Sequence, residues 1–159
     1  DEAYERWAVF FMALIRHCDA QTTRQVCNRL TIPPRYTRLF TAHRLAVEPW
    51  LHRLELRKRM RPAQIHQMLQ GVRTEIVLYM MICTRSQRAR KRISLYHTCL
   101  RNISITLSGK DLINMGLTPG PLFSRALRAT LDAKLNGRIK TREDELAFVR
   151  DNINRWMKS

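Results

Sequence analysis

The side chains able to do chemistry in this chain are cations. Arg88, Arg90, Lys91 and Arg92 fall within one short stretch, and guanidinium and ammonium groups at that density suit phosphate oxygens better than proton transfer. Read as a helix, the stretch puts Arg88, Lys91 and Arg92 at i, i+3 and i+4 on one outer face, with Arg90 flanking it. A second phosphate-seeking feature runs from Ser108 to Pro121: Ser-Gly-Lys-Asp-Leu-Ile-Asn-Met-Gly-Leu-Thr-Pro-Gly-Pro. It reads as a short helix, a glycine-proline turn and the start of a longer helix. Such a corner presents unpaired N–H groups and the positive dipole end of the second helix, so Gly109, Lys110, Gly116 and Gly120 are candidate phosphate contacts. The competing reading is a packing corner between helices.

Nothing else in the sequence is arranged for a reaction. His17, His43, His52, His66 and His97 are dispersed, with no acidic or cysteine partner at ligand spacing. Cys18, Cys27, Cys83 and Cys99 show no paired short spacing, which argues against a zinc cluster or a redox dithiol and for buried free thiols in a reducing compartment. There is no Ser-His-Asp arrangement and no Gly-rich phosphate loop ending in Lys-Ser. Glu143, Asp144 and Glu145 sit at a helix start, where the macrodipole explains them better than a metal does. The expectation is therefore no catalytic residue, no metal ligand and no cofactor within these 159 residues.

Charge points to the partner. The formal net charge is +16, and between Ile76 and Lys110 there are seven Lys and Arg and no acid. An unneutralised middle of this kind favours a polyanion, RNA or DNA ahead of an anionic membrane, because the cations do not oppose a long apolar face rich in exposed aromatics. The longest wholly apolar run, Trp7 to Ile15, is too short to span a bilayer. No signal-peptide pattern opens the chain. Its first residue is Asp, as expected of a piece cut from a longer protein.

The elements that would position these cations read as helices throughout. Tyr4, Trp7, Phe11, Leu14 and Cys18 recur at helical spacing with apolar neighbours on almost every side, which predicts a central helix whose Trp7, Phe10 and Phe11 are core rather than a base-stacking platform. A short helix from Thr22 or Thr23 carries Val26 and Leu30. Tyr36, Leu39, Phe40, His43, Val47, Trp50 and Leu54 trace a longer one that Pro49 kinks or restarts. Pro62 starts a helix that Gly71 breaks. The run Ile-Val-Leu-Tyr-Met-Met-Ile-Cys is predicted as a buried helix, since no second strand is present to pair with it. Ser86 caps a helix with Ala89, Ile93, Tyr96 and Leu100 inward, and 103–107 is an extended connector. Ser108 with Asp111 makes a capping box, and Gly116 takes a left-handed stop. Thr141 and Asp144 cap the last helix, whose Leu146, Val149, Ile153 and Trp156 dock inward. The predicted fold is all-α, with a helical body at 1–105 and a helical tail at 106–159.

These residues also carry a resemblance. Gly109-Lys110-Asp111-Leu112, then Gly116, then Pro119-Gly120-Pro121, then Ala133-Lys134-Leu135-Asn136-Gly137 and Thr141-Arg142-Glu143-Asp144-Glu145, resemble the C-terminal body and tail of bacterial tRNA nucleotidyltransferases, above all the adenosine-adding type. The poly(A) polymerases are relatives in the same superfamily. The resemblance implies an RNA-holding part that positions the 3′ end of tRNA, in the cytoplasm, for a catalytic head elsewhere in the same parent chain. ATP and magnesium would belong to that head, since its paired carboxylates near a Gly-Ser turn do not occur here. The oligomeric state is left open. Two other classes compete: a helical scaffold that never touches RNA, and a helix-hairpin-helix-like DNA-binding module, whose tight glycine spacing Leu117-Thr118-Pro119 does not fit.

Overall fold

The computed structural model describes residues 5–157. Among them there is no strand, and the all-α expectation holds. Two compact units divide the chain, Asp1–Met60 with Met68–Thr98, and Arg61–Gln67 with Cys99–Ser159.

In the first unit, α1 (Arg6–Leu14) packs along a later helix and buries Ala8, Val9 and Met12. It is not central. Phe10 is 73% and Leu14 81% exposed, and Trp7 is 41% exposed although its ring packs edge-on against Tyr36 at 4.7 Å. An all-round apolar composition cannot say which sides a helix has covered, and here one side is left open. Tyr4, on the same predicted row, lies outside the described residues. Next, α2 (Ala20–Arg29) starts two residues before the predicted Thr22, because Asp19 accepts the Thr22 N–H at 2.7 Å. Leu30, which follows it, is exposed.

The long segment predicted over 36–54 is broken into pieces. After α3 (Pro34–Arg38) the chain makes a π-turn over Leu39–His43, with the Arg44 N–H donating to the Leu39 carbonyl at 3.0 Å. A single 3₁₀ turn over Leu45–Val47 leads into α4 (Glu48–Leu56), so Pro49 restarts the helix from its first turn rather than kinking it. Arg44 closes this region from inside. Only 2% exposed, its guanidinium donates to the carbonyls of Phe40, Arg16 and Cys18 and to Thr23 Oγ1.

Helix α5 (Pro62–Leu69) ends before Gly71, which takes φ +76°. As predicted, α6 (Thr74–Cys83) is a buried helix, with Ile76, Val77, Tyr79 and Met80 inward. It packs on α1 and on α7 (Gln87–Thr98). Of the four cysteines only Cys27 is buried, and Cys99 is exposed, so the expectation of uniformly buried thiols fails.

The second unit is built around a buried carboxylate. The extended connector at 103–107 leads into α8 (Gly109–Asn114), whose capping box is present as predicted. At its end Gly116 takes φ +86°, while the Gly116 N–H donates to Ile113 and the Leu117 N–H to Leu112. That pairing satisfies the last helical carbonyls and seats Leu117 against Leu112 in the core. The longer α9 (Pro121–Leu135) comes next, then α10 (Arg142–Met157), which packs on it and adds Val149 and Trp156 to the same core. Thr141 and Asp144 cap α10, with N–H···O distances of 2.9 and 3.2 Å in the two directions.

Glu145 is the exception to the dipole reading of the acidic cluster, being fully buried. Its carboxylate accepts from Lys134 Nζ at 2.6 Å, from the Thr106 N–H and hydroxyl, and from the Leu107 N–H. Burial alone would push this carboxyl up, but those four donors outweigh burial and hold it below the usual carboxylate range. One side chain thus fixes the connector, α9 and α10 together.

Candidate nucleic-acid interface

The basic stretch on α7 divides between surface and core. Arg88, Arg90 and Lys91 are exposed. Arg92 is not on the outer face, as the i, i+4 spacing had suggested, but is 9% exposed and turned inward. Its guanidinium donates to the carbonyls of Leu54 at 2.5 Å, Arg57 at 2.7 Å and Lys58 at 3.4 Å. The register explains this: Arg92 lies between Ala89 and Tyr96, both buried, on the inward row of the helix. A buried guanidinium needs acceptors for its N–H groups, and the end of α4 offers carbonyls that no later helical turn uses.

That bond set creates a site that the sequence did not single out. By clasping the end of α4, Arg92 fixes Arg57, Lys58 and Arg59, all exposed, beside the exposed face of α7. Arg88 reinforces the seam by donating to the Glu55 carbonyl at 3.1 Å. Glu55, beside this segment in the chain, is half-buried and accepts the Thr84 hydroxyl at 2.7 Å. Arg90 donates to the Thr84 carbonyl at 3.1 Å, and Lys91 makes no hydrogen bond or ion pair to the described residues. The resulting patch of Arg57, Lys58, Arg59, Arg88 and Lys91 joins two stretches that are some thirty residues apart in the chain. Phosphates held by such groups fix register and orientation without reading bases.

The glycine corner belongs to the second unit. Lys110 is exposed in the first turn of α8, and its neighbour Asp111 is engaged by Ser108 and by Arg142 at 3.0 Å. Gly109 comes near Phe123, where an added Cβ would sit 3.6 Å from the ring, an ordinary contact. Gly116 serves the left-handed stop. Gly120 precedes Pro121 in extended backbone, with open space around it. Of the four, Lys110 alone offers a charge, and Gly109, Gly116 and Gly120 offer backbone. Among the described residues no three of His, Cys, Asp or Glu are grouped so that they could hold a metal ion. No helix among them is long and apolar enough to cross a membrane.

No protein-family model matches the chain, and no solved structure does. Among curated proteins it is 33% identical over 152 residues to the A-adding tRNA nucleotidyltransferase of Geobacter sulfurreducens, covering 93% of this chain and 17% of that protein. The A-adding tRNA nucleotidyltransferase of Halalkalibacterium halodurans is 28% identical over 90 residues, 57% of this chain and 21% of that protein. The chain thus spans about a fifth of the length of these relatives. All-α and similar along nearly its whole length to a segment of such an enzyme, it is a tRNA nucleotidyltransferase-related protein.

Proposed function

We propose that this chain holds tRNA by its backbone so that the 3′ end reaches a catalytic head. The single observation behind this reading is the patch assembled by Arg92, in which five exposed cations lie together within a region containing long acid-free sequence. Similarity to A-adding tRNA nucleotidyltransferases supports tRNA as the polyanion. The head, and with it ATP and magnesium, lies in the parent chain; this segment works in the cytoplasm as that enzyme's C-terminal part. Lys110 adds a contact in the second unit. A pure scaffold is the second reading, favoured by the open apolar side of α1 at Phe10 and Leu14.

A titration of the purified chain with tRNA at several salt concentrations tests the proposal. Affinity should fall steeply with salt, by about 0.7 to 0.9 in log affinity per log unit of salt for each phosphate neutralised. Lys91→Glu should flatten that slope by about one contact or more while leaving sequence preference unchanged. Absence of tRNA binding at low salt would decide for the scaffold.

A further inference from the structure

The first unit contains a cleft of about 450 Å³ that the phosphate patch does not use. Its lining is largely apolar: Val47 and Ile76 are buried and Trp50 is half-buried. The π-turn and the 3₁₀ turn after it make one wall from Ala42 and Ala46, whose small side chains leave the space open. The rim carries Arg38 and Arg73, and no carboxylate lines the cleft. Arg73 is held in place by a two-point bridge to Glu75, through Nη2 at 2.9 Å and Nε at 3.2 Å, which leaves Nη1 outside the bridge. That bridge is neutral overall. Net attraction for an anion therefore comes from Arg38, which is exposed and makes no hydrogen bond or ion pair to the described residues.

We infer that this cleft binds a single nucleotide, its base against Trp50 and the alanine wall and its phosphate between Arg38 and Arg73. The volume lies in the lower part of the range for small-molecule sites, about 300 to 1,000 Å³, which suits one nucleotide and excludes a duplex. An apolar cleft lined by an indole accepts any base face, because stacking does not depend on hydrogen-bond pattern. A guanidinium pre-oriented by a carboxylate loses little freedom on meeting a phosphate. Ala42, Ala46 and Trp50, each four residues after the last, border one cavity. The nucleotide comes either free, as a mononucleotide, or as an unstacked residue of a bound RNA. In the second case the inference rests on the RNA-holding reading; in the first it stands alone.

The test monitors the indole N–H signal of Trp50 in the whole chain, assigned by its loss in Trp50→Phe, during titration with AMP and, separately, with a short single-stranded oligoadenylate. AMP should shift the signal saturably, and adenosine or inorganic phosphate alone should need roughly tenfold higher concentration or more. Response to the oligonucleotide but not to AMP identifies the RNA source. Arg38→Glu should raise the half-saturating concentration at least roughly tenfold, and Ala46→Phe, which fills the slot, should abolish the response. If Ala46→Phe does not fold, Arg38→Glu carries the test. A silent Trp50 with both ligands, or a response indifferent to Arg38→Glu, overturns the inference. A chain that binds tRNA with Trp50 silent keeps the RNA-holding reading and loses the cleft. A chain that binds no tRNA but answers to AMP does the reverse.

Discussion

Two glycines in the corner of the second unit look equivalent in the sequence and differ in the backbone. Gly116 has φ +86°, where a β-branched side chain is strained whatever space surrounds it, whereas Gly120 lies in extended backbone that any residue can adopt. Gly116→Val should therefore lower unfolding stability by on the order of 1 kcal/mol or more, while Gly120→Ala should change it by less than about 0.5 kcal/mol. Chemical denaturation of the two variants checks this; equal losses would mean that the left-handed stop is not where the strain lies. Lys110, exposed beside the same corner, separates contact from packing. Lys110→Glu should leave the melting temperature nearly unchanged, since exposed substitutions usually cost less than about 0.5 kcal/mol, yet weaken tRNA binding. A variant that binds tRNA like the parent chain would reduce the corner to packing.

At the scale of elements, buried charges tie the helices together, and Glu145 does so most directly. Removing one partner of a buried pair costs roughly 3–5 kcal/mol, and Glu145→Ala would orphan Lys134 together with two backbone N–H groups of the connector. Because the folded carboxyl is held below its ordinary value, its contribution is complete above the unfolded pKa of about 4.3. It is lost as pH falls through that value toward the lower folded one. Acid unfolding monitored by Trp156 fluorescence, with Trp7 and Trp50 replaced by phenylalanine, should show this loss, and Glu145→Gln should flatten the acid limb. An acid limb unchanged in Glu145→Gln would remove Glu145 as its source. The caps and the left-handed stop were legible because each depends on residues three or four apart, and the buried α6 because no second strand was present to pair with its apolar run. The buried charges were also within reach of that logic. Arg44 stands four residues after Phe40 and three before Val47, Arg92 three after Ala89 and four before Tyr96, and Glu145 four before Val149; all these neighbours are buried. A charge in core register reads as a surface residue until its partners are known, and most of those partners lie on distant segments, which no local spacing encodes. The patch on α4 and α7 was hidden for the same reason, as was the open side of α1.

For the whole molecule the decisive property is how charge of each sign is used. Among the described residues, Asp19, Asp111 and Asp144 are engaged in caps, Glu75 with Arg73, and Glu145 in the core. The cations divide differently. Arg44 and Arg92 are spent on carbonyls, and Arg57, Lys58, Arg59 and Lys91 are left at the surface. Two-metal phosphoryl transfer needs the opposite allocation, with carboxylates converging on an open site, and the sequence has no carboxylate pair beside a Gly-Ser turn to supply one. The 159-residue chain by itself is therefore expected to bind tRNA without adding nucleotides to it. Incubating the purified chain with tRNA, magnesium and labelled ATP, alongside a mock purification that controls for host enzyme, should give no labelled tRNA above the mock. The same preparation must retain salt-dependent tRNA binding and a cooperative melt, so that inactivity cannot come from misfolding. Labelled tRNA that rises with the amount of chain, and disappears when the chain is heat-unfolded, would show that the acids now assigned to caps and core have a second use and that the division of labour between head and holder is wrong.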